Sequence, residues 1–279
     1  GKKDFRVKSI VLSQGAARMN MTRHLLPKDA LFELSGIDCK ASNINYDAAG
    51  RFMANLEHLS LREGQHDFYL THLGGKIEGD TTWVSLPNLR VVTPNSQLKA
   101  SLTADFSAFQ PTGKGRFSLK GQTSIGMVDV LAVLKPHISA TQYRQMAEMS
   151  WKLMGGNPIE MQVTAEGNMR HLAVQRATLG VSGLAQVALD GFVRNAMDKG
   201  RSGTFNFSFR SQSSQRIRPL LPHDLAQTFQ LPDGLAALGH LQFDGTDYRT
   251  NVTLQHAQGQ IFTRAKLNTE TERYDVEVD

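Results

Sequence analysis

Histidine is the side chain of this chain with the most accessible chemistry, because it can ligate metals and transfer protons near neutral pH. Nine histidines are present, and His58, His66 and His72 come closest to a cluster, separated by eight (66 − 58) and six (72 − 66) positions. Neither separation matches a common metal-ligand spacing. We therefore expect isolated strand histidines that face solvent, and no metal site is predicted.

Other catalytic patterns are equally weak. His223 directly precedes Asp224, whereas triad partners meet in space, so we interpret Asp224 as a helix-start residue. Gly113-Lys114-Gly115 lacks the further glycines and the following helix of a phosphate loop, which favours a hairpin turn. Paired carboxylates, a nucleophile elbow and a Cys-x-x-Cys motif are not found in the sequence. We predict a non-enzymatic protein with no catalytic residues and no cofactor; an enzyme whose titratable groups only folding assembles is the alternative.

Composition indicates an ordinary globular chain of one or two domains, with 279 residues, 40% hydrophobic and 20% charged. The 31 Lys and Arg exceed the 26 Asp and Glu, giving a net charge of +5. These basic residues are scattered singly, which is typical of solvated strand faces; an acidic partner or a phospholipid headgroup is the alternative, and nucleic acid is not expected. Cys39 is the only cysteine, so no internal disulfide forms and a small buried hydrophobe is expected.

Hydropathy predicts a soluble segment. The mean hydropathy is −0.32, and no run approaches the roughly 18 apolar residues that a membrane-spanning helix needs. The start, Gly1-Lys2-Lys3-Asp4, lacks both an initiator Met and the apolar stretch of a signal peptide. We interpret the chain as a fragment of a longer protein.

Strand patterns dominate the sequence and predict an antiparallel meander, since strands do not alternate with helices. Residues alternate between apolar and polar over Thr81–Val84, Leu89–Val92, Leu98–Ala104, Arg116–Lys120, Met161–Ala165, Leu172–Gln175, Thr204–Arg210, Leu241–Phe243, Asn251–Leu254, Ile261–Leu267 and Tyr274–Val278. Turns are predicted at Gly50, Gly74-Gly75, Gly113, Asp190-Gly191 and Asp244-Gly245.

A helical insert is predicted around 127–154. Ser139 and Gln142 have capping-box spacing, and Gly155-Gly156 supply a stop. A shorter helix is expected over Met127–Leu134, before Pro136. One face of the longer helix carries Tyr143, Met146, Ala147, Ser150, Leu153 and Met154.

Two strand patterns recur. Phe117–Ser124 returns as Phe207–Ser214, 90 positions later (207 − 117), and Leu172–Ala177 returns as Val252–Ala257, 80 positions later (252 − 172). The helical insert at 127–154 makes the first copy longer, which explains the smaller second offset. In the second copy, residues 217–229 occupy the equivalent position, and at most one short helix is expected there, from His223. We predict one β-rich repeat body over 1–279, with possible units 1–110, 111–200 and 201–279.

Several strands have one apolar face. Phe205, Phe207 and Phe209 fall on one side of a strand, and Leu241, Phe243, Val252 and Leu254 show the same two-faced character. Such faces form either the closed core of a sandwich or barrel, or the inner side of an open curled sheet that holds an apolar ligand. The alternation alone leaves both alternatives open.

Short motifs spread along the chain resemble the periplasmic AsmA/TamB-type proteins of Gram-negative bacteria, and most of all their Bacteroidetes-like TamB-type branch. The resemblance rests on Leu59–Glu63, Phe68–Thr71, Leu86–Ser96 and the segment from Leu231 to Thr246. It implies a mainly β fold: an elongated, curled antiparallel sheet with an open, taco-like groove, here interrupted by the insert.

The resemblance also implies a function. The chain would be a middle fragment of a periplasmic protein anchored in the inner membrane, shielding phospholipid acyl chains between the inner and outer membranes. The alternative is a scaffold for outer-membrane protein assembly that contacts a BamA-like barrel through sheet edges. Candidate groove-lining residues are Phe205, Phe207, Phe209, Leu241, Phe243, Val252 and Leu254.

Overall fold

The fold is one antiparallel meander in which each strand neighbours the next one in the chain. The computed structural model describes residues 4–21, 30–64, 68–135, 138–213, 216 and 233–279. Within these residues, 15 strands form a single sheet in sequence order, and the first strand does not pair with the last. The prediction of a mainly β, open antiparallel sheet with a helical insert is confirmed.

The elements share a simple order, with both helices inserted between the seventh and eighth strands. The strands are β1 (Phe5–Met21), β2 (Ala30–Tyr46), β3 (Phe52–Glu63), β4 (Phe68–Gly79), β5 (Trp83–Val92), β6 (Gln97–Asp105), β7 (Phe117–Ile125), β8 (Ile159–Gly167), β9 (His171–Val181), β10 (Ala185–Arg194), β11 (Ser202–Ser211), β12 (Ala236–Asp244), β13 (Asp247–His256), β14 (Gly259–Asn268) and β15 (Arg273–Val278). The helices are α1 (Met127–Leu134) and α2 (Ala140–Met154), and a short 3-10 helix covers Phe106–Phe109.

The chain forms two compact units. Unit 1 comprises residues 1–103 and 123–149, and unit 2 comprises 104–122 and 150–279. Strands β1–β5 therefore belong to unit 1 and β8–β15 to unit 2. The three repeat units inferred from recurring strand patterns stay a prediction, since those patterns concern sequence similarity and not contacts.

The two units differ in the regularity of their strand pairing. Each of the four pairings among β1–β5 contains at least one register shift. Among the seven pairings from β8 to β15, only β8–β9 and β9–β10 contain one. Because successive side chains point to opposite faces, a constant register keeps the apolar residues of neighbouring strands on the same face. Unit 2 can therefore maintain a continuous apolar face.

Helix α2 has the predicted boundaries. The Ser139 backbone N–H donates to Gln142 Oε1 at 2.9 Å, and the Gln142 backbone N–H donates to Ser139 Oγ at 3.2 Å, which is a reciprocal capping box. Gly155 follows the last turn with φ +58°, a left-handed conformation that glycine adopts without steric cost. The six residues predicted to share one face are all partly or fully buried, and the rest of the helix is exposed.

Helix α1 is tied to the turn between β5 and β6 by Asp129. Its carboxylate accepts hydrogen bonds from Asn95 Nδ2 at 3.0 Å and Ser96 Oγ at 2.6 Å, and another from Thr93 Oγ1. Burial alone would raise the pKa of Asp129, but these hydrogen bonds together outweigh it and lower the pKa below its ordinary value. The charged carboxylate therefore stabilises the fold of unit 1.

Replacing Asp129 with alanine is expected to lower the free energy of unfolding by about 2–3 kcal/mol, because it leaves the donors of Thr93, Asn95 and Ser96 without their acceptor. The Asp129 pKa is lower in the folded than in the unfolded state, so its stabilisation is present above the unfolded pKa near 3.8 and is lost as the pH falls through the folded value. Urea unfolding at pH 7 and at pH 3 measures both effects. Glu148→Ala, an exposed position of α2, is the control; equal losses for both variants would contradict the prediction.

Candidate apolar binding face

The structure brings all seven predicted groove residues to one face of three adjacent strands. Phe205 lies opposite Leu241, and Leu241 lies opposite Thr250. Val252 and Leu254 of β13 lie opposite Gly239 and Ala237 of β12, which in turn face Phe207 and Phe209 of β11. Phe243 is the most buried of the seven, with 8% of its surface exposed, and the other six are partly buried.

The same face continues across β8 to β15, whereas the sequence predicted only its central part. Four cross-strand rows make up what we call the apolar face. The rows run Met161, Leu179, Val187, Phe209, Ala237, Leu254, Ile261; Val163, Ala177, Leu189, Phe207, Gly239, Val252, Thr263, Val278; Ala165, Val174, Gly191, Phe205, Leu241, Thr250, Ala265, Val276; and Gly167, Leu172, Val193, Gly203, Phe243, Tyr248, Leu267, Tyr274. No position in these rows carries a charged side chain.

The opposite face of the same strands carries the charged side chains, although Leu238 and Phe262 also lie on it. One row crosses β10 to β15 through Asp190, Asn206, His240, Asn251, Arg264 and Glu277. Asn206 Nδ2 donates to Asp190 Oδ2 at 2.9 Å, and His240 Nδ1 lies 2.9 Å from Asn206 Oδ1. Arg264 forms an ion pair of 3.3 Å with Glu277. The sheet of unit 2 therefore keeps charged side chains off the apolar face, as the strand alternation predicts.

Three phenylalanine rings on the apolar face lie over glycines of neighbouring strands. Phe207 is directly opposite Gly239, and a Cβ atom at that glycine would lie only 2.1 Å from the ring atom Cζ. The pairs Phe205–Gly191 and Phe243–Gly203 are also directly opposite, with corresponding closest ring distances of 2.7 and 2.8 Å. A ring in this position covers the backbone that a strand glycine leaves exposed.

Aromatic rings on the apolar face stack on one another in nearly parallel orientation. The Phe205 and Phe243 rings are stacked with centroids 6.3 Å apart and an interplanar angle of 13°, and Phe243 stacks on Tyr248 at 5.8 Å and 20°. The alternation of apolar and polar residues does not predict this stacking. A glycine at a position where the alternation expects an apolar residue could have indicated it, as at Gly239 between Ala237 and Leu241.

Within the part of the chain that the structure describes, no second layer of side chains seals the apolar face. Leu179 is 45% exposed, Ile261 48% and Val276 56%. Among the described residues, no large side chain is fully enclosed. A closed sandwich core would bury all of these positions, so the open alternative describes unit 2 better. Apolar surface of this extent is unusual on a protein that binds nothing.

Two histidines expected to be isolated are in contact in unit 1. Pairing of β3 with β4 places His58 Nδ1 3.0 Å from His72 Nδ1, and His58 Nε2 lies 3.2 Å from Ser60 Oγ. Burial, with smaller contributions from His58 and Arg90, lowers the pKa of His72 below its ordinary value. The expectation of isolated, solvent-facing side chains is therefore wrong for this pair. His66, His223 and Asp224, together with 217–229, lie outside the described residues.

The described residues contain no group of three His, Cys, Asp or Glu side chains that could hold a metal ion. Over the same part of the chain, neither α1 nor α2 has the length and hydrophobicity required to cross a bilayer. The apolar face of unit 2 is thus the most extensive candidate site. In comparisons with known proteins, no family model, no curated protein and no solved structure matches this chain.

Proposed function

We propose that this chain is a non-enzymatic lipid-transfer segment whose apolar face shields the acyl chains of phospholipids. The observation that supports this most directly is the set of four uncharged cross-strand rows spanning eight strands, several of whose side chains remain exposed. An extended, charge-free surface suits a hydrocarbon chain, which offers no polar group for recognition.

The energetics favour such a surface. Moving one methylene out of water is worth about 0.8 kcal/mol, so a chain of about 16 carbons would cost roughly 13 kcal/mol if exposed. A face lined by aromatic and aliphatic side chains removes much of that cost along its whole length. Tight binding at one point is then unnecessary, in keeping with the distribution of the apolar side chains over β8 to β15.

The location of the chain and the membranes between which lipid moves belong to the same proposal. The chain acts as a middle segment of a periplasmic protein of the AsmA/TamB type, anchored in the inner membrane, and carries phospholipids between the inner and outer membranes. Support for this part comes from the sequence motifs at Leu59–Glu63 and Leu86–Ser96. The apolar face supports the acyl-chain role independently of those motifs.

Lipid carried by the purified protein tests the proposal. We expect mass spectrometry of organic extracts to detect phospholipid, and the chain to accelerate movement of a fluorescent phospholipid between donor and acceptor liposomes. Absence of both co-purified lipid and transfer in the unsubstituted chain would overturn the proposal and leave the edge-binding scaffold as the better alternative.

A further inference from the structure

Unit 1 contains a cavity of about 430 Å³ where the ends of β1 to β5 meet. Arg6 and Asn45 lie opposite each other on β1 and β2 and contribute to one wall. Trp83, at the start of β5, contributes to another. This volume falls in the range of small-molecule sites, which is about 300–1,000 Å³.

Three ionised residues that line the cavity already form ion pairs: Arg51 with Asp47, and Glu78 with Lys76, which lies outside the lining. Arg51 Nε lies 2.7 Å from Asp47 Oδ2, and Lys76 Nζ lies 2.6 Å from Glu78 Oε2. Arg6 is exposed and forms no ion pair with any described residue, so its guanidinium is available to a ligand. A cavity whose carboxylates are neutralised and whose remaining cation is unpaired favours an anionic ligand.

The uncharged residues that line the cavity indicate which kind of anion would fit it. Asn45 Nδ2 donates to the Asn43 carbonyl at 3.1 Å, and a side-chain amide has a second N–H to donate. Tyr46, Phe52 and Trp83 also line the cavity and provide apolar surface with a polar edge on Tyr and Trp. An arginine fork matches the oxygens of a phosphate group, and the aromatic rings match an apolar substituent.

We propose that this cavity binds a phosphate ester, with the phosphate at Arg6 and Asn45 and the organic part against Trp83. All lining residues belong to unit 1, so the site is separate from the apolar face and does not depend on the acyl-chain proposal. The ester could be a phospholipid headgroup or a free organic phosphate; both share the chemistry that Arg6 recognises.

Tryptophan fluorescence offers a direct test, because the chain has two tryptophans. Trp151 is 70% exposed, and Trp151→Phe in the full chain leaves Trp83 as the only tryptophan. We expect hexyl phosphate to change Trp83 emission saturably, and hexyl glucoside, which has the same tail and no charge, to bind at least about tenfold more weakly. Equal binding of sn-glycerol 3-phosphate identifies a free organic phosphate; dependence on the hexyl tail identifies a lipid headgroup.

Substitutions at Arg6 complete the test. Arg6→Gln should weaken hexyl phosphate binding about tenfold or more, Arg6→Lys less, and Arg249→Gln on the opposite face of the unit 2 sheet not at all. Circular dichroism verifies that each variant is folded. Unchanged affinity in folded Arg6→Gln, or equal affinity for hexyl glucoside, would overturn the phosphate site. Phe207→Arg, which tests the apolar face, should leave hexyl phosphate binding intact, so the two proposals can fail separately.

Discussion

Phe207→Arg is expected to weaken binding of a phospholipid acyl chain by at least about tenfold, since it removes an aromatic ring worth about 1.5–3 kcal/mol of apolar burial and introduces a charge. The position is central on the apolar face, between Leu189 on one neighbouring strand and Gly239 on the other. Because Phe207 is only partly buried, the arginine can reach solvent and the fold should persist. Co-purified phospholipid and photocrosslinking to an acyl-chain probe measure the effect.

The matched control is Ser208→Arg. It adds the same charge to the adjacent position of β11 but on the opposite face, where Ser208 lies between Ala188 and Leu238. Retained binding in this control, together with loss in Phe207→Arg, assigns the effect to the apolar face. If Phe207→Arg unfolds the protein, the closed-core alternative gains support. If it folds and binds lipid as before, the acyl chain does not use this face.

Gly191→Ala is expected to lower the free energy of unfolding by about 2–4 kcal/mol, through backbone strain and a steric clash. Gly191 has φ +155°, which an alanine rarely adopts. Its new Cβ would lie 2.1 Å from the Thr204 carbonyl oxygen and 2.7 Å from Phe205 Cδ1. The carbonyl belongs to the ladder between β10 and β11, so it cannot move without breaking strand pairing.

Chemical denaturation of the full chain, followed by circular dichroism, measures this loss. Gly200→Ala is the control, because no atom lies within 4 Å of a Cβ at that position; its effect should stay within about 0.5 kcal/mol. A Gly191→Ala protein as stable as the Gly200→Ala protein would show that β10 and β11 are not packed as closely as the Phe205–Gly191 pair requires.

Local signals in the sequence predicted local structure well. Ser139, Gln142 and Gly155 defined α2 because a helix cap depends on residues within one or two turns. Apolar alternation at Phe205–Phe209 identified β11 and its two faces, since alternation follows from strand geometry alone. The seven candidate residues could therefore be assigned to one face without coordinates; that they line a lipid groove stays a prediction.

Two turn predictions based on glycine are wrong, because strand pairing outweighs the preference of glycine for turns. Asp190-Gly191 and Gly74-Gly75 were predicted as turns, yet they lie inside β10 and β4. Both positions coincide with register shifts in their pairings, where glycine permits a backbone that other residues resist. Thr81–Val84 and Leu89–Val92 were likewise predicted separately, but one strand, β5, runs from Trp83 to Val92.

The long strands β1 and β2 escaped prediction because their alternation is broken. Each has 17 residues, and their pairing contains register shifts near Gly15, with Gln14 at φ +52°. Where a bulge inserts an extra residue, the alternation of apolar and polar residues shifts by one position, so the sequence no longer shows the pattern of a strand. Hydrogen bonding to the neighbouring strand maintains the element through the interruption.

The amino-acid order by itself determined where the two helices form and which side of a regular strand such as β11 is apolar, because these properties depend on near neighbours. Tertiary structure decided how the strands align: Phe207 over Gly239, His58 against His72, and the cavity beside Arg6. Register depends on hydrogen bonds between separate strands, and a slip of one residue would turn every apolar side chain to the other face. The continuity of the apolar face is therefore a property of strand alignment.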